Sequence, residues 1–133
     1  MLYDFNQLKP TLNISGIDIS EYAIQNAEPS IQSYLQVGNA KELPYPDSFF
    51  DLVISINTIH NLELEACKSA LTEIQRVSKR DAFITVDAWR NEDEKQRMLQ
   101  WNLTALTYMH VDDWIVLFRD VGYTGDYYWF IAE

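Results

Sequence analysis

The chain has 133 residues, 47% of them hydrophobic and 14% aromatic, enough for one domain with a real core and too apolar for a disordered segment. Twenty acidic residues against ten basic ones give a net charge of −10. That argues against nucleic acid or an anionic membrane as partner, because both are held by clustered Lys and Arg. The single cysteine, Cys67, excludes an intrachain disulfide and reads as a small core residue. Two histidines spaced widely from it leave no metal-ligand pattern. Met1-Leu2-Tyr3-Asp4 lacks the basic start and apolar stretch of a secretory leader. No run approaches the roughly 18 apolar residues of a membrane span, so the expected compartment is the cytoplasm.

Residues 1–9 read as the last turns of a helix, with Leu2, Phe5 and Leu8 at intervals of three and Pro10 ending the pattern. Ile14 to Ile19 is a short apolar strand containing Asp18. Ser20 is a good N-cap for a helix that Pro29 closes. A third, short strand over 31–37 is expected near an edge, and the prolines at 44 and 46 mark a loop over 41–48. Phe50-Asp51-Leu52-Val53-Ile54-Ser55-Ile56 is almost continuously apolar and β-branched. This predicts a central strand buried on both faces, as in a parallel sheet covered by helices.

A helix over 63–79 places Cys67, Ala70, Leu71, Ile74 and Val77 on one face. Residues 82–88 form another buried strand, and strand, helix, strand at this spacing is a right-handed crossover. Asn91 and Glu94 suggest a capping box opening a helix whose apolar side carries Met98, Trp101 and Ala105. Asp112 or Asp113 starts a last helix that Gly122 stops, and 127–131 is a final strand in which Tyr127, Tyr128 and Trp129 pack. Buried strands alternating with amphipathic helices predict one domain over 1–133, a three-layer α/β sandwich with mainly parallel strands.

The run Gly38-Asn39-Ala40, Leu43-Pro44-Tyr45-Pro46-Asp47 and Phe49-Phe50-Asp51-Leu52-Val53 resembles the middle of class I S-adenosylmethionine-dependent methyltransferases. That family commonly shows Gly-Asp-Ala-x-x-Leu-Pro-Phe-x-Asp-x-x-Phe-Asp-x-Val there. Asn39 stands for the usual Asp and Tyr45 for the usual Phe. The resemblance, from about Ile14 to the end, implies a Rossmann-like sheet and S-adenosylmethionine as cofactor. It also implies that the family's first strand and Asp-x-Gly-x-Gly loop are missing, so the chain reads as an N-terminally truncated domain. Cofactor binding is then expected to be weakened. The family's sheet order sets strand one at the centre, so its loss predicts either direct pairing of 14–19 with 50–56 or self-association as a homodimer.

In open α/β sheets ligands bind beyond the carboxyl ends of the strands. Asp18 is a candidate ribose ligand, or a turn-capping acid. The resemblance adds Ile19, Asn39, Ala40 and Asn57 around the cofactor. His60 and Asn57 are the catalytic candidates: His60 could take a proton from an oxygen or nitrogen acceptor, or could simply cap the strand. Asn61, Asp87, Trp89 and Tyr108 are candidates for the acceptor side, with a small molecule favoured by the acidity. His110, just before a helix, reads as structural. Two other readings stand beside this one: a nicotinamide-dependent dehydrogenase, which lacks support without a Tyr-x-x-x-Lys pair, and a non-catalytic methyltransferase-like binding or assembly module.

Overall fold

A computed structural model describes residues 1–133. The helices are α1 (Leu2–Leu8), α2 (Glu21–Gln25), α3 (Leu64–Val77), α4 (Glu92–Trp101) and α5 (Val111–Val121). The strands are β1 (Gly16–Asp18), β2 (Leu35–Val37), β3 (Phe50–Ile56), β4 (Ser78–Trp89), β5 (Met109–His110) and β6 (Asp126–Phe130). Short 3-10 turns occupy Gln32–Tyr34 and Ile59–Asn61. Every strand pairing is parallel, and β3, α3 and β4 form the expected crossover. The parallel α/β architecture is as the alternation of elements implied, and it fits the Rossmann-like sheet that the resemblance implied.

The helix boundaries follow local chemistry. Ser20 Oγ accepts from Ala23 N at 3.1 Å and caps α2. Asn91 Oδ1 accepts from Glu94 N at 3.0 Å, but the return half of the expected box goes elsewhere: Glu94 accepts from Arg90 N and pairs with its guanidinium. Gly122, at φ 73°, ends α5 in the left-handed conformation that a glycine adopts without penalty. His110 caps α5 by accepting Asp112 N at Nδ1, so its role is structural, as its position suggested.

The core lies on one face of β4. Ala82, Ile84, Val86 and Ala88 alternate along it and meet Cys67, Ala70, Leu71 and Ile74 of α3 and Trp114, Leu117 and Phe118 of α5. Phe83, Thr85 and Trp89 on the other face are only half-buried, although α4 packs there. Trp101, expected on the apolar side of α4, is 52% exposed, while Met98 is fully covered.

Two expectations are corrected. The strands form two sheets: β1 and β2 pair alone, and β4 is the centre of a second sheet flanked by β3 and β6, with β5 beside its carboxyl end. β3 is therefore an edge strand, with Leu52 50% exposed and no fully buried residue. A continuous β-branched run signals a strand able to be covered on both sides, but a neighbour must be present to cover it. Direct pairing of 14–19 with β3 does not occur. No helix is long and apolar enough to cross a membrane.

Candidate functional site

The apolar strands β3 and β4 end in polar residues, and their carboxyl ends assemble one cluster. Asn57, at φ 49°, turns the chain out of β3. Its N–H donates to Thr85 Oγ1 at 2.9 Å, and its Oδ1 accepts from that hydroxyl at 2.7 Å. Its carbonyl accepts from Asn61 Nδ2 at 3.2 Å, and Asn61 Oδ1 accepts from Thr104 Oγ1. Thr85 was not foreseen as a site residue. Its signal was a hydroxyl two positions before Asp87 in an otherwise apolar strand, hence on the same face.

His60 and Asp87 are both buried. His60 Nδ1 accepts from the Asp87 backbone N–H at 3.1 Å, so the neutral ring carries its proton on Nε2. The His60 carbonyl accepts from the N–H groups of Leu106 and Thr107, and Trp114 Nε1 donates to the Asp87 carbonyl. The Asp87 carboxyl lies 3.8 Å from His60 Nδ1, and its buried Oδ1 has no hydrogen-bond partner. Burial pushes the Asp87 carboxyl up and the His60 imidazole down; each shift is partly offset by attraction between their charged forms. Burial thus makes the charged form of each less favourable than it is in water. Burial pushes the Cys67 thiol up to about 12, which makes it an inert core residue.

Trp89 and Tyr108 stand side by side with ring centroids 6.0 Å apart, and Lys95 Nζ lies 5.6 Å from the Trp89 ring. Trp89 follows Asp87 by two residues and shares its face of β4. Asp18 ends β1 and Ile19 follows it, both exposed. Asp18 Oδ1 accepts from Ser20 N at 2.8 Å. Asn39 follows β2, with Oδ1 accepting from Lys41 N, and Ala40 packs against the main core. The sequence candidates thus fall into two groups: Asn57, His60, Asn61, Asp87, Trp89 and Tyr108 around the large sheet, and Asp18, Ile19 and Asn39 beside the small one, while Ala40 follows β2 but packs against the main core. No cluster of metal-ligating side chains is present.

A methyltransferase-domain family model matches residues 3–86. A tRNA (carboxymethyluridine(34)-5-O)-methyltransferase of Arabidopsis thaliana is 34% identical over 110 residues, covering 81% of this chain and 26% of that protein. An uncharacterized protein of Haemophilus influenzae is 29% identical over 123 residues, covering 84% of this chain and 49% of that one. The chain thus spans no more than half the length of these curated relatives.

Among solved structures, the Haloferax volcanii protein in complex with the Trm112 methyltransferase activator has a TM-score of 0.64. It is 22% identical and covers 90% of this chain and 55% of that one. A Bacillus halodurans protein has a TM-score of 0.65 at 18% identity, covering 90% of this chain and 57% of its own. These two show the fold. The family model spans well over half of the 133 residues, and the chain belongs to the class I S-adenosylmethionine-dependent methyltransferases.

Proposed function

We propose that the chain serves S-adenosylmethionine-dependent methyl transfer to a small-molecule acceptor. In this reading the small sheet holds the adenosine half of the cofactor, and the carboxyl ends of β3 and β4 form the acceptor side. The observation that carries it is the linked cluster of Asn57, Asn61, His60 and Asp87 at those strand ends.

The residues present fit an adenosine moiety. Asp18 spends Oδ1 on Ser20 and keeps its other oxygen for a ribose hydroxyl. Ile19, 71% exposed, offers an apolar surface beside it, and the Asn39 amide nitrogen is an available donor. The methionine moiety is served less well. Gly16 and Gly38 are closed over by Leu35 and Ile17, Gly122 ends α5, and Gly125 packs on Tyr123, so no glycine pair forms a cradle. We therefore infer weak cofactor binding by these 133 residues.

The cofactor, when bound, supplies an electrophilic sulfonium methyl. The chain's part is alignment, exclusion of water and disposal of a proton. His60 is a poor base, because its Nδ1 lone pair already receives the Asp87 N–H. Asp87 suits the task better: burial raises its carboxyl, and Oδ1 has no partner. His60 then positions the Asp87 backbone, Asn57 and Asn61 orient the acceptor, and Trp89 with Tyr108 walls it from water.

The 34% identity to a tRNA uridine methyltransferase favours a second reading, with a nucleoside oxygen as acceptor. The charge of −10 sets it behind a small molecule. The reading also takes the chain as self-associating, since Leu52 and Ile56 are 50% and 38% exposed on β3.

Saturation-transfer NMR with S-adenosylmethionine tests the proposal. Saturation should reach the adenine and ribose protons and spare the methionine side chain. Transfer to the methionine protons alone, or to none, contradicts it.

A further inference from the structure

We infer that Tyr45 is a positioning residue that sets the cofactor-binding half of the molecule against the acceptor half through its hydroxyl. This rests on the division of the site proposed above. Residues 1–42 carry β1, β2, Asp18, Ile19 and Asn39, and neither of their strands pairs with the large sheet. No backbone hydrogen bond and no ion pair joins residues 1–42 to residues 43–133. The hydrogen bonds that do cross converge on one atom. Tyr45 Oη accepts from Gln36 Nε2 of β2 at 2.7 Å and lies 2.7 Å from Ser15 Oγ, next to β1. Because Gln36 Nε2 can only donate, the phenolic proton is free for Ser15.

The rest of Tyr45 belongs to the large sheet. Its ring meets Phe50 of β3 edge-on, with centroids 4.7 Å apart, and lies 5.8 Å from Phe49. Its carbonyl accepts from Arg76 Nη1 at 2.8 Å, and the same guanidinium holds the Leu43 carbonyl at 3.0 Å. Glu73 accepts the Leu43 N–H at 2.8 Å and orients Arg76 from the next turn of α3. The planar fork of Arg76 thus fixes the backbone of the loop to α3, and the phenol at the loop's tip fixes β1 and β2 to the loop. A phenylalanine would keep the ring contacts and lose every polar link between the halves. The hydroxyl therefore has a function that packing cannot supply: it orients Asp18 and Asn39 relative to Asn57 and Asp87.

The test compares the wild-type chain with Tyr45→Phe, and with Ser15→Ala as a half-step. Amide hydrogen exchange is read across β1, β2 and β4, with adenosine binding followed by calorimetry. In Tyr45→Phe, exchange over 14–40 should speed up roughly twentyfold to thirtyfold, at about fivefold for each of the two hydrogen bonds lost. Exchange in β4 should stay the same, and adenosine affinity should fall by a similar factor. Ser15→Ala should lie between. Exchange in 14–40 unchanged in Tyr45→Phe overturns the inference, as does an equal acceleration throughout β4. If the wild-type chain binds no adenosine, the cofactor reading fails, and exchange alone decides whether Tyr45 joins the halves. If adenosine binds wild type and Tyr45→Phe equally, the positioning role fails while the cofactor reading stands.

Discussion

Asn57 offers a substitution whose parts can be separated. Its backbone is left-handed at φ 49°, which costs a side chain bearing Cβ about 1 kcal/mol or more. Its Oδ1 accepts from Thr85 Oγ1 at 2.7 Å, worth about 1 kcal/mol net at an exposed position. Asn57→Ala loses the bond and forfeits the tolerance that Asn has for this conformation, so a destabilisation of about 2 kcal/mol is expected. Asn57→Gly loses the same bond but relieves the strain, at some cost in unfolded-chain entropy, and should be milder by about 1 kcal/mol. Urea unfolding followed by circular dichroism reads both, the slope against denaturant staying constant so that midpoints report stability. Equal loss in the two variants, or a greater loss in the glycine variant, would show that the turn out of β3 is not strained and would refute the reasoning.

As pH falls through the 6.5 of an ordinary histidine, the unfolded chain gains a proton at position 60 that the folded chain refuses, so stability should fall; Asp87, raised above 3.8, works oppositely and adds stability as pH falls through its folded value. His60→Gln should remove the loss and leave the gain, checked by melting curves from about pH 8 to about pH 5; parallel curves for the two proteins would contradict this. Leu71→Ala, at a fully buried position of α3, should cost about 2–5 kcal/mol in the same urea assay, and a loss below about 1 kcal/mol would mean the core on β4 collapses around the gap. Sedimentation at low micromolar concentration should show dimers that Leu52→Asp dissociates; a wild-type monomer would leave the exposed face of β3 without its proposed cover.

The elements of this fold are legible where periodicity and punctuation agree. Cys67, Ala70, Leu71, Ile74 and Val77 mark the buried face of α3 one by one, and Gly122 stops α5 where a left-handed residue is needed. Pairing is not legible, because apolar character says that a strand can be covered and not what covers it. That is why β3 reads as central and is found at an edge, while β4 takes the centre. Of the site, Asn57, His60, Asn61 and Asp87 are foretold as polar residues after or within apolar strands. The tautomer of His60 is not, since it depends on the Asp87 N–H, which only the parallel register brings within 3.1 Å. Tyr45 and Arg76 are equally hidden: they lie 31 residues apart, and nothing in either local pattern links them.

The central claim is that this chain holds the adenosine part of S-adenosylmethionine at Asp18 and gains little from the methionine part. Calorimetric titration of adenosine and of S-adenosylhomocysteine, against the wild-type chain and Asp18→Ala, tests it most directly. The expected result is weak binding of both ligands with closely similar affinities, lost in Asp18→Ala while the melting temperature stays near that of the wild type. Tight S-adenosylhomocysteine binding that far exceeds that of adenosine and survives Asp18→Ala would contradict it and place the site elsewhere on the molecule.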